Sequence, residues 1–184
     1  MAKVSIIGTG TWGIALGMVL AQNGHEVTAW SALPKEIEAL KESYKCKNLP
    51  GVEIPRSIVF TADLQEACTD KEMLVLSVPS VFTRGVAKQM NPFIKEGQLI
   101  VSVAKGIEEK TLMTMSQQIE QELPMANVAV LSGPSHAEEV SRGIPTTVVV
   151  GAKDRQTAEH IQNLFMSSVF RVYTSPDILG IELG

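Results

Sequence analysis

Two periodicities alternate along this chain. Runs too short for helices and rich in β-branched residues predict strands at 4–7, 25–30, 58–61, 73–78, 98–103, 127–131, 145–150 and 169–173. Between them, apolar residues recur at helical spacing. They run through 14–21, then Ile37, Leu40 and Tyr44, then Leu64, Ala67 and Cys68. Further on come Val81, Phe82, Val86 and Met90, then Leu112, Met115 and Ile119, and finally Ala158, Ile161, Leu164 and Phe165. The runs at 73–78 and 98–103 are almost continuously apolar, as expected of central parallel strands covered on both faces. The alternation predicts an α/β fold: a doubly wound, Rossmann-type, mainly parallel sheet of about eight strands.

The punctuation residues sharpen these elements. Gly24 is placed to stop the first helix, and Pro34 suits the first turn of the second. Residues 45–55 read as a loop, with Lys41, Lys45 and Lys47 on a solvated face. Asp63 with Glu66 resembles a capping box, Ser80 is a candidate cap for the helix after 73–78, and Asn91-Pro92 closes that helix. Asp154 can cap the helix at 155–165. Ser175-Pro176-Asp177 has the form of a cap, a first-turn proline and an acid, yet the sequence reaches Gly184 after barely two turns. The expectation is one dinucleotide-type domain over 1–174, with 175–184 starting the first helix of a second, helical domain.

Composition narrows the chemistry. The 184 residues are 45% hydrophobic and 20% charged, with a net charge of −4, which disfavours a broad nucleic-acid footprint or a basic membrane face. Cys46 and Cys68 form no CxxC pair, and His25, His136 and His160 lack ligand spacing, so no metal site is expected. No apolar run is long enough to span a bilayer, and only Met1-Ala2-Lys3 precedes the first strand. These features point to a cytoplasmic protein without membrane insertion.

The candidate chemistry clusters at strand ends. Gly8-Thr9-Gly10-Thr11-Trp12-Gly13 links the first strand to the first helix. Gly8 permits the tight turn, Gly10 lets a pyrophosphate reach the main chain, and Gly13 lets helix and strand pack closely. The helix N-terminus then faces the phosphates. An acid usually ends the second strand of an NAD site. Here the strand runs into Trp30-Ser31-Ala32-Leu33 with no carboxylate before Glu36, so NADP is permitted, and Ser31 and Lys35 are candidates to receive a 2′-phosphate. Pro79 turns at the end of 73–78, Lys105 follows 98–103, and Ser132-Gly133-Pro134-Ser135 follows 127–131, all on the edge where such sheets bind ligands. His136 opens a helix with Glu138 and Glu139, and no acid or nucleophile is placed to work with it. Cys68 sits on an apolar helical face and reads as core.

Five ordered motifs together resemble bacterial NAD(P)-dependent glycerol-3-phosphate dehydrogenase: 8–13, Val78-Pro79-Ser80, Ala104-Lys105-Gly106-Ile107-Glu108, Leu131-Ser132-Gly133-Pro134-Ser135 and Gly180-Ile181-Glu182-Leu183-Gly184. The resemblance implies hydride transfer between NAD or NADP and the sn-glycerol 3-phosphate/dihydroxyacetone phosphate pair, serving glycerophospholipid synthesis, in a protein that can be a homodimer. It implies cofactor contacts at Thr11, Trp12 and Ala137, a Lys105 that touches cofactor and substrate, and substrate contacts at Gly133 and Ser135. Thr11 stands where the family often has serine, and His136 where phenylalanine is common. The family's proton-accepting lysine falls beyond Gly184, in the helical domain, so this chain by itself is expected to bind cofactor with little turnover. Two other readings fit the same fold: a hydroxyacid or 6-phosphogluconate type of dehydrogenase, and a dinucleotide-sensing module without chemistry.

Overall fold

A computed structural model describes residues 1–184. The strands are β1 (Lys3–Ile7), β2 (Glu26–Trp30), β3 (Val59–Thr61), β4 (Met73–Leu76), β5 (Leu99–Ser102), β6 (Asn127–Ser132), β7 (Thr146–Gly151) and β8 (Phe170–Ser175). They form one sheet in the order β3-β2-β1-β4-β5-β6-β7-β8. The first six run parallel. β7 pairs antiparallel with β6 through Leu131↔Val150, and β8 runs parallel to β7. The order 3-2-1-4-5-6 is that of the dinucleotide-binding sheet, with its reversal between β1 and β4.

The helices are α1 (Thr11–Gln22), α2 (Pro34–Ser43), α3 (Leu64–Cys68), α4 (Thr83–Met90), α5 (Met115–Glu122), α6 (Ala137–Ser141), α7 (Arg155–Phe165) and α8 (Ile178–Leu183). Side chains alternate between two cores because successive Cβ atoms of a strand point to opposite faces. Val4, Ile6, Met73, Val75, Val101 and Ala129 join residues of α1, α2, α6 and α7 on one face. Ile7, Leu74, Leu76, Ile100 and Val128 meet α3, α4 and α5 on the other. Double coverage is why β4 and β5 read as unbroken apolar runs.

Several local signals act as their chemistry dictates. α1 stops in a Schellman turn: Gly24 takes φ 84°, its N–H donates to the Ala21 carbonyl, and the His25 N–H donates to that of Leu20. Asp154 caps α7 by accepting from the Thr157 N–H at 2.7 Å. Cys68 is buried against the sheet, and burial pushes its thiol up to about 12, consistent with a core role.

Other expectations are corrected. Asp63 caps α3, but Glu66 closes no box; its carboxylate accepts from Thr61 Oγ1 at 2.5 Å, and Thr61 Oγ1 accepts the Asp63 N–H. Ser80 caps nothing: it opens a 3-10 turn, Ser80–Phe82, ahead of α4, which leaves Val81 and Phe82 exposed. Asn91-Pro92 does close α4, which ends at Met90 with Asn91 as its C-cap, and a separate 3-10 turn, Asn91–Phe93, follows. Leu112 lies outside α5 with φ 57° and is exposed, because Thr114 forms the capping box that starts the helix. The cap of α8 is Asp177, not Ser175; Asp177 accepts from the Gly180 N–H at 2.8 Å. No helix is long and apolar enough to cross a membrane.

Candidate cofactor and substrate site

The loop from β1 to α1 is fixed from both neighbouring strands. The Gly8 N–H donates to the Trp30 carbonyl at 2.9 Å, tying the loop to the end of β2. Ser77, just past β4, donates its hydroxyl to the Gly8 carbonyl at 2.8 Å. The loop therefore straddles the reversal point of the sheet. Gly8 has φ 118°, and a Cβ there would lie 2.9 Å from the Ser77 carbonyl carbon, so both conformation and space demand glycine. Around Gly10, by contrast, a Cβ would meet nothing within 4 Å. No side chain caps α1, which leaves the N–H groups of its first turn open to an anion.

Two cavities flank this loop. One is a cleft of about 560 Å³ lined by Gly8, Gly10, Trp30, Ser31, Leu33, Glu36, Pro79, Val81 and Phe82, among others. The other, about 280 Å³, collects Thr11, Trp12, Lys105, Gly133, Ser135 and Ala137 together with His136 and Glu138. Of the residues singled out in the sequence, Gly8, Gly10, Ser31 and Pro79 thus share the first cavity, and the remaining contacts share the second. Gly13 lines neither; it is buried where α1 crosses β1.

Lys105 stands at the open edge, its ammonium donating to the Gly133 carbonyl at 3.1 Å. Gly133 is glycine for a packing reason as well, since a Cβ would come within 2.8 Å of the Thr147 carbonyl oxygen on β7. His136 is exposed and makes no cap bond to α6. The loop that carries Lys105 is held from below. Arg84 of α4 grips Glu108 with two hydrogen bonds, at 2.8 and 2.7 Å, and Glu122 of α5 with a third at 2.7 Å. The Arg84 hydrogen bonds, assisted by Thr111, hold the Glu108 carboxyl down at about 2.

Two participants carry no sequence signal for their role. Ser77 has the pattern of a strand residue, although its hydroxyl anchors the glycine loop. Glu36 lies six residues past the end of β2 in the sequence, which gives no sign that it returns to the strand end. The first turn of α2 instead swings it back, so that Ser31 Oγ donates to Glu36 Oε2 at 2.6 Å at the end of β2. Lys35 is exposed and lines neither cavity.

A glycine loop at the reversal of a 3-2-1-4-5-6 sheet, with an uncapped helix behind it, defines a dinucleotide-binding α/β domain. The comparisons make this specific. Residues 3–158 match the family model for the N-terminus of NAD-dependent glycerol-3-phosphate dehydrogenase, and the chain belongs to that family. It is 60% identical to glycerol-3-phosphate dehydrogenase (NAD(P)+) of Agathobacter rectalis, with 100% of this chain covered and 55% of the relative. With the Fusobacterium nucleatum protein of the same name the identity is 52%, with 100% of this chain and 56% of that one covered. The crystal structure of glycerol-3-phosphate dehydrogenase from Coxiella burnetii superposes with a TM-score of 0.93 at 28% identity, covering 98% of this chain and 56% of that one. The chain spans about half the length of these relatives.

Proposed function

We propose that this chain is the cofactor-holding part of an oxidoreductase that interconverts sn-glycerol 3-phosphate and dihydroxyacetone phosphate, in the service of glycerophospholipid synthesis. The observation that carries this is the sharing of one pocket by Thr11 and Trp12 at the start of α1 and Lys105, Gly133 and Ser135 from the strand ends opposite. The fit to a dinucleotide rests on Gly10, where the space beside the main chain is open, and on Thr9, whose buried Oγ1 has no partner. Gly8, Gly10 and the first turn of α1 would hold the pyrophosphate, Ser31 and Pro79 the adenosine side, and Trp12 and Ala137 the nicotinamide side. When bound, the nicotinamide donates or accepts the hydride.

The protein's own part is orientation and charge. Lys105 presents an ammonium to the phosphate or carbonyl oxygen of a small anionic substrate and stabilises negative charge that develops there. Its bond to the Gly133 carbonyl holds it over the pocket, and Ser135 offers a hydroxyl beside it. Residues 1–174 form the cofactor domain in this reading, and 175–184 begin the helical part, which supplies the proton acceptor. The full-length protein is a cytoplasmic homodimer. NADH and NADPH titrations of the 184-residue chain, paired with a turnover assay on dihydroxyacetone phosphate, test this. Binding with little turnover is expected; absence of binding, or full turnover by the chain alone, overturns it. In a full-length enzyme Lys105→Ala should sharply reduce turnover, whereas in a dinucleotide sensor it should leave affinity unchanged.

A further inference from the structure

We propose that Glu36 reads the ribose 2′-hydroxyl of the cofactor and makes this chain select NAD(H) over NADP(H). The inference rests on the cofactor reading above and narrows it. Three observations carry it. The Ser31–Glu36 hydrogen bond fixes the carboxylate immediately past β2, the place where an acid reads the 2′-hydroxyl in NAD-binding sheets. Ser31 is itself buried and accepts the Leu33 N–H at 3.2 Å, so the pair is anchored to the main chain. That bond occupies Oε2 and leaves Oε1 without a partner, an open acceptor in a half-buried side chain that lines the cleft.

The second half of the argument is electrostatic. Glu36 is the only charged side chain among the residues lining the larger cleft. The rest of that wall is apolar or neutral, with Leu33, Val81 and Phe82 exposed around it. A 2′-phosphate would bring negative charge against a carboxylate with no cation in the lining to offset it, whereas a 2′-hydroxyl would donate to Oε1. Close like charges near a protein surface repel strongly enough to change affinity by about tenfold or more.

The test is calorimetric titration of the 184-residue chain with NADH and NADPH, and with ADP-ribose and its 2′-phosphate to isolate the adenosine end. Wild type is expected to bind the unphosphorylated member of each pair at least about tenfold more tightly, with the gap narrowing as salt is raised. Glu36→Gln should shrink the gap to about threefold, chiefly by improving NADPH. Equal or tighter NADPH binding by wild type overturns the proposal and leaves the cofactor reading intact, as does a gap that Glu36→Gln does not change. If no nucleotide binds, both readings fall. If Glu36→Gln fails to fold, Ser31→Ala, which frees the Glu36 carboxylate from its anchor, should narrow the gap, and an unchanged gap there overturns the proposal as well.

Discussion

Two glycines three residues apart should respond oppositely to the same substitution. At Gly13, an added Cβ would lie closer than 3.0 Å to the Gly8 carbonyl oxygen and to Ser77 Oγ, and 3.1 Å from Ile6 Cγ2. The first of these is main chain, held by the Ser77 hydroxyl at 2.8 Å, so it cannot swing aside as a side-chain tip would. α1 must lift from β1, which places Gly13→Ala at the upper end of overpacking costs, about 2–3 kcal/mol. For a domain of this size that lowers Tm by about 4–12 °C. At Gly10 the backbone has φ −61° and ψ 168°, ordinary for alanine, and a Cβ meets nothing within 4 Å. Gly10→Ala should therefore change stability by no more than about 1 kcal/mol, the scale of replacing a glycine N-cap with alanine. The methyl group would stand where the pyrophosphate must approach, and NADH affinity should fall by about tenfold or more, equivalent to about 1.4 kcal/mol. Thermal unfolding followed by circular dichroism, with NADH titration of each variant, separates the two effects. Wild-type NADH affinity in Gly10→Ala, or a wild-type Tm in Gly13→Ala, would refute the reasoning.

The ion pair beneath Lys105 gives a pH prediction. The Glu108 carboxyl lies at about 2 instead of 4.5, so its contribution to stability is complete above pH 4.5 and is lost as pH falls toward 2. An NMR titration should find that low midpoint in wild type and a rise toward 4.5 in Arg84→Gln; an unmoved midpoint contradicts the assignment. Thiol labelling should distinguish the cysteines: half-exposed Cys46 reacts readily, whereas Cys68, buried and pushed up to about 12, reacts only as the domain opens. Labelling of Cys68 at the rate of Cys46 in native buffer would show that the core is looser than its packing implies.

Much of this architecture was legible in the sequence, because burial on one or both faces of a strand or helix writes a local period. The eight strands, the glycine turn, the stop at Gly24 and the cap at Asp154 all follow from residues within a few positions of one another. The edge where the Gly8 loop, Pro79, Lys105 and Gly133 gather was legible too, since parallel strands with helical crossovers bring their carboxyl ends to one side. Errors arose where competing local options were nearly equal. Leu112 fits a helical spacing, but Thr114 with Gln117 builds the stronger start two residues later. Ser175 and Asp177 are both plausible caps; Ser175 Oγ accepts the Asp177 N–H ahead of the helix, and Asp177 accepts the Gly180 N–H within it.

The order of elements, their buried faces and the chemical inventory of the strand ends are all written in local residue patterns. It takes the closed fold to run β7 against β6, to bring Ser77 onto the Gly8 loop across 69 residues, and to set Arg84 against Glu108. That fold also brings Glu36 back to the end of β2 as the sole charge lining the larger cleft. The reason is that hydrophobic periodicity records whether a residue is covered, not which residue covers it. Pairings across the fold depend on strand register, on the angle at which a helix leaves its strand and on the reach of single side chains, and these are fixed only when the sheet and its helices close around a common core.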